Sequence, residues 1–192
     1  MNQKPHEDQV YIEALLKNDS KVLSKIYTKF SYKIVSFVKN NSGNTDDAQD
    51  IIQETLVTIY HQAKEKNLIL TCPFDAYFFL LCKRRWLNEL KKRGNNRVTI
   101  VEEMTSITEE QEQQVEETEI FELQHQLFES KFKELGKKCQ ELLKATFKIK
   151  SMEEVAKFLG VSYGYARKSK SECMGKLTQL VKNSKEYHRI KS

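Results

Sequence analysis

Apolar residues along this chain recur at three- and four-residue steps rather than at every second position. Val22, Leu23, Ile26, Tyr27, Phe30, Ile34, Phe37 and Val38 form one such series, the stripe that a helix of 3.6 residues per turn buries. Ser20 is placed to cap that helix, and Asn40 to Gly43 end it. A second helix is predicted from Thr45, with Asp46 and Asp47 near the positive end of its dipole. Another follows Pro73 and runs to about Arg93, where Gly94 stops it. Further helices are predicted from about Glu119 to Leu135, Lys137 to Phe147, Met152 to Leu159 and Ser162 to Lys182. Two prolines and six glycines in 192 residues suit long helices joined by short turns. The fold class expected is all-α.

The pattern breaks in the middle. From Val98 to Ser130 there is no Lys or Arg, while Glu102, Glu103, Glu109, Glu110, Glu112, Glu116, Glu117, Glu119, Glu122 and Glu129 fall in that span. Apolar residues are sparse between Thr105 and Glu119, too few to bury a core. The composition predicts two small helical domains, 1–97 and 119–192, joined by an acidic linker at 98–118. Two readings of the linker stay open at this point. It is a solvated tether, or its negative charge lets it lie where nucleic acid would otherwise sit.

Charge adds little by itself: 32 Lys and Arg against 27 acids give +5, a modest surplus. Met1 to Asp8 is polar, so no signal peptide is expected. No apolar run approaches the ~20 residues of a membrane span, so no membrane insertion is expected. Cys72, Cys82, Cys139 and Cys173 show no close pairing, and the histidines are scattered. They are read as reduced, structural cysteines of a cytoplasmic protein, with no metal site and no cofactor. No Ser-His, Cys-His, paired-carboxylate or Gly-rich phosphate constellation appears, and the chain is not expected to be an enzyme.

Three surfaces carry candidate chemistry. On the helix Asp47 to Lys64, at ~100° per residue, Ile52, Thr55, Leu56, Ile59 and Tyr60 gather on one side. Asp47, Asp50, Gln53 and Glu54 gather opposite, with Val57 among them. This is the polar outside of an amphipathic helix, or a face for a basic protein partner. The helix after Pro73 begins apolar and ends basic, with Lys83, Arg84, Asn88 and Lys91 at helical spacing and Lys92, Arg93 and Arg97 beyond. Such an array neutralises phosphates, and Arg84 and Asn88 could reach base edges; alternatively it is a solvated cationic end. The stretch Met152 to Lys170 matches a helix-turn-helix. Val155 and Leu159 form its core, Ala156 allows close approach, Gly160 turns the chain and Val161 plugs the corner. Ser162 caps the second helix and Ala166 faces inward. Tyr163, Tyr165, Arg167, Lys168 and Ser171 are then exposed where a recognition helix enters a major groove.

Taken together, these segments resemble the extracytoplasmic-function group of the sigma-70 family. Asp47-Ala-Gln-Asp50-Ile-Ile-Gln53-Glu54 is similar to the family's D-A-x-D-x-x-Q-E signature. Ala76-Tyr-Phe, the Lys83-Arg84 run, and Asn88 with Lys91 to Arg93 resemble its A-W-L…R-N…D-x-x-R-R segment. Glu153 to Leu177 is similar to its C-terminal helix-turn-helix. Arg84, Asn88, Tyr77 and Ser169 depart from the residues usual there, which leaves the promoter sequence unread.

The resemblance implies a factor that directs promoter-specific initiation by bacterial RNA polymerase core. Asp47, Asp50, Gln53 and Glu54 would bind the clamp helices of the largest subunit. Lys83, Arg84, Asn88, Lys91, Lys92 and Arg93 would contact the minus-ten element, and the loop from Lys66 to Cys72 would capture a flipped base. Ser162, Tyr163, Tyr165, Arg167, Lys168 and Ser171 would read the minus-thirty-five element, with the polymerase flap a further contact of that domain. The linker would thread toward the RNA exit path. The resemblance leaves room for an anti-sigma protein as an additional partner. The alternative is a conventional helix-turn-helix regulator that binds duplex DNA without polymerase.

Overall fold

The computed structural model describes residues 5–94 and 107–191. Arg97 and the start of the acidic stretch, including Glu102 and Glu103, lie outside the described residues. Within them the chain is all-α, as expected: nine helices and no strand. None of those helices is long and apolar enough to cross a membrane. The chain divides into two compact units between Phe121 and Glu122.

The first unit holds α1 (Gln9–Lys17), α2 (Ser20–Asn40), α3 (Thr45–Lys66), α4 (Phe74–Lys92) and the beginning of α5 (Glu109–Lys133). The cap of α2 is Asp19 rather than Ser20: its carboxylate accepts from Lys21 N and Val22 N. A carboxylate is the stronger acceptor at the positive end of a helix, and Ser20 is displaced into the first turn. Ile26, Phe30, Ile34 and Val38 are buried against Ile52, Leu56 and Ile59 of α3 and Phe74, Phe78 and Trp86 of α4. Trp86 is fully buried, and its indole N–H donates to the Asn41 carbonyl at 3.1 Å. That bond fixes the α2–α3 corner on α4.

The α3–α4 connection is extended. Leu68, Leu70 and Cys72 point into the core while Ile69 is exposed, so a short stretch of period-two alternation exists where no strand pairs with it. α1, which the periodicity did not predict, contributes Ile12 and Leu15 to the same core.

The acidic segment departs from expectation. From Glu109 it is helical, and Val115 is fully buried in the core of the first unit. Gln114 and Thr118 are also buried. An extended, solvated tether does not describe these residues, because their inward side packs although their outward side is acidic.

The second unit comprises the rest of α5, α6 (Lys137–Lys148), α7 (Met152–Leu159), α8 (Tyr163–Lys182) and α9 (Lys185–Lys191). Phe132, Leu135, Leu142, Leu143, Val155 and Leu177 form its core. Gly160 ends α7 at φ 65°, the left-handed conformation that glycine adopts without a Cβ penalty. The Ser162 side chain then caps α8 by accepting from Tyr165 N. Ala166 is fully buried, which lets α8 approach α7 closely. The expectation of four reduced cysteines is corrected: Cys139 of α6 and Cys173 of α8 are disulfide-bonded, 34 residues apart in sequence. Only Cys72 and Cys82 are free, and both are buried. Burial pushes their thiols up, to about 11 and about 12, where the reactive thiolate is scarce.

Candidate functional site

The outward face of α3 is held at its start by a reciprocal cap. Asp47 N donates to Asn44 Oδ1 and Asn44 N donates to Asp47 Oδ2, both at 2.9 Å. Arg93 Nη2 also reaches Asp47 Oδ1 at 3.0 Å. The backbone hydrogen bond from Asn44, ahead of the Arg93 contacts, holds the Asp47 carboxyl below its ordinary value despite some desolvation. Asp47 is thus engaged in holding α3. Further along, Glu54 accepts from Arg85 at 3.1 Å, and Arg85 also donates to Thr58. Asp50 and Gln53 are exposed, and Val57 is 50% exposed beside them. The four polar residues predicted for this face therefore divide: two stand open, and two are tied to arginines, Glu54 to Arg85 of α4 and Asp47 to Arg93 at its C-terminal cap.

On α4, Tyr77, Arg84, Asn88 and Lys91 follow one stripe, at steps of seven, four and three. Tyr77 is buried, and its hydroxyl lies 2.8 Å from Thr118 Oγ1. Burial pushes the phenol's pKa well up, so it stays protonated. Arg84 makes two close ion pairs with α5, Nη2 to Glu112 at 2.7 Å and Nη1 to Glu119 at 2.8 Å. Partial burial works against its charge, but the hydrogen bonds and charges of Glu119 and Glu112 outweigh this and raise its pKa. Asn88 and Lys91 are exposed. Lys83 lies off this stripe, its ammonium 5.9 Å from the centre of the Phe37 ring. Lys92 is 3.9 Å from Glu89. Arg93 binds Glu89 as well as Asp47 and stacks 5.2 Å from Trp86. Of the six predicted cations and amides, Asn88, Lys91, Lys92 and Arg93 are exposed, and Arg84 is already occupied.

Beside Arg84's helix runs the extended loop, and two glutamine amides bracket it. Gln9 Nε2 donates to Leu68 O at 3.1 Å, and Gln9 Oε1 accepts from Leu70 N at 2.7 Å. Gln114 takes the other edge. Its Nε2 donates to Ile69 O at 2.7 Å, and its Oε1 accepts from Thr71 N at 3.1 Å. The Thr71 hydroxyl and Cys72 thiol also point at that oxygen, each at 3.2 Å. The backbone of an extended segment presents its polar groups to alternate sides, and each side here meets one carboxamide. Gln114 and Thr118 were not among the predicted residues, whereas Thr71 falls in the loop from Lys66 to Cys72 and Tyr77 in the segment that resembles the family's. The signal was present: Gln114, Val115, Thr118 and Phe121 fall at helical spacing, but two of the four are polar and dilute the stripe.

In the second unit, Ser162, Tyr163, Tyr165, Arg167, Lys168 and Ser171 are all exposed. They lie along the first turns of α8. The Arg167 guanidinium lies 5.7 Å from the Tyr163 ring centre, and Lys168 is 4.0 Å from Glu172. Donors, aromatic rings and positive charge therefore occupy the open end of one helix.

Residues 26–96 match the family model of sigma-70 region 2. No curated protein and no solved structure matches the chain.

Proposed function

The chain belongs to the sigma-70 family by residues 26–96, and from that premise we propose that it is an initiation factor of the extracytoplasmic-function group. In this reading it directs bacterial RNA polymerase core to promoters and performs no chemistry of its own. One observation carries the proposal: the matched residues span α2, α3 and α4, the helices that bear both the acidic face and the basic stripe. Asp50 and Gln53, with Glu54, Asp47 and the exposed Val57, would dock on the clamp helices. Lys83, Arg84, Asn88 and Lys91 to Arg93, with the loop before α4, would hold the minus-ten element. The open end of α8, from Ser162 to Ser171, would read the minus-thirty-five element, since a helix N-terminus with exposed donors suits a major groove. In this reading the protein works in the cytoplasm, where bacterial RNA polymerase acts.

The mechanism is tethering. Phosphate contacts position a module but carry no sequence information, and each module alone binds DNA weakly. Joined in one chain and held on polymerase, the second module binds at a raised effective concentration. Unstacking a base costs a few kcal/mol, offset by base capture and by phosphate contacts that release counterions.

Asp50→Lys tests the docking face. Asp50 is exposed, so the variant should keep its stability and lose core polymerase binding by at least about tenfold, a change of about 1.4 kcal/mol, in a pull-down or anisotropy titration. Undiminished binding would remove this face from the account. Glu54→Lys is a poorer probe because it also breaks the pair with Arg85.

A further inference from the structure

The first half of α5 touches the basic stripe and the extended loop with the two kinds of group that a nucleic acid would offer. Glu112 and Glu119 put carboxylates on the Arg84 guanidinium at 2.7 and 2.8 Å. Guanidinium binds carboxylate and phosphate through the same forked geometry. Gln114 brings an adjacent donor and acceptor to Ile69 O and Thr71 N at 2.7 and 3.1 Å. Neighbouring donor and acceptor sites are also what the edge of an unstacked base presents. Val115 and Thr118 lock the segment down, the first in the core and the second on the Tyr77 hydroxyl. Arg84 and the loop edge at Ile69 and Thr71, part of the surface predicted to hold promoter DNA, are therefore satisfied within the chain.

We propose that residues 109–119 are an internal nucleic-acid mimic. The Gln114 amide stands in for a base edge, and Glu112 and Glu119 stand in for phosphates, so that the minus-ten surface is closed until single-stranded DNA displaces the helix. This rests on the minus-ten role given to that surface above. It adds that the free protein discriminates against DNA through its own acidic segment. The device also explains why the segment is acidic on its outer side yet carries buried Gln114 and Thr118. A solvated tether would need neither.

The test uses the full chain and a fluorescein-labelled single-stranded DNA of mixed sequence, read by anisotropy. Combining Glu112→Ala, Gln114→Ala and Glu119→Ala removes the mimicking groups while keeping good helix formers. This variant should bind the DNA about tenfold more tightly than the wild type. Adding Arg84→Ala to the triple variant should erase that gain. A second readout needs no variant: DNA added to the wild type should speed amide hydrogen exchange over residues 109–119. If the triple variant binds no more tightly than the wild type, or if saturating DNA leaves that exchange unchanged, the mimic is refuted. Equal binding by both proteins, weakened equally by Arg84→Ala, would overturn the mimic and leave the minus-ten surface standing. Binding that is indifferent to Arg84 in every background would remove the surface as well.

Discussion

Asp47 and Asp50 lie three residues apart on the same side of α3, and their surroundings give them different work. Asp47 closes the cap with Asn44 and receives Arg93, so its loss is a matter of stability. Asp47→Ala should lower the unfolding free energy at neutral pH by about 1 kcal/mol. The fold depresses this carboxyl below its ordinary 3.8. Its stabilisation is therefore complete above 3.8 and fades as pH falls through the lower folded value. Urea titrations of the two proteins should differ at pH 7 and converge at strongly acidic pH; a gap that persists there would assign the loss to something other than the charge. Asp50 makes no comparable bonds among the described residues and stands exposed, which is why its reversal is expected to touch binding alone. Sequence periodicity put both residues on one face, and it could not separate them. The distinction depends on where Arg93 lands, 46 residues further on.

Among the elements, those with a clean apolar stripe were legible and those stabilised by mixed contacts were not. α2, α3, α4, α7 and α8 announce themselves by spacing and by their turn residues. α5 begins ten residues before the predicted Glu119, at Glu109. Hydrophobicity alone does not detect an inward side made of Gln114, Val115, Thr118 and Phe121. The Cys139–Cys173 bond was equally hidden, because it depends on α6 lying against α8 rather than on any local spacing. The corner between α2 and α3 offers a test of packing at this scale. A Cβ on Gly43 would overlap Val38 Cγ1 and come within 2.6 Å of the Trp86 ring, which is buried and hydrogen-bonded. Neither neighbour can yield cheaply. Gly43→Ala should destabilise the protein by about 1–3 kcal/mol, seen as a lower urea midpoint with an unchanged slope. An unchanged midpoint would mean that the corner is looser than its contacts indicate.

For the whole molecule, two compact helical units and a sigma-70 region 2 match over residues 26–96 suit a factor that works by holding polymerase and DNA together. Part of that surface, Arg84 and the loop edge at Ile69 and Thr71, is engaged by the chain's own acidic helix. The isolated protein should therefore bind DNA weakly, and polymerase must be present for its activity to appear. Run-off transcription with bacterial core polymerase on a library of genomic promoter fragments, with and without the protein, measures this most directly. Discrete new transcripts should appear that depend on the protein and disappear with Asp50→Lys. No new transcripts, together with no binding to core polymerase, would contradict the initiation role.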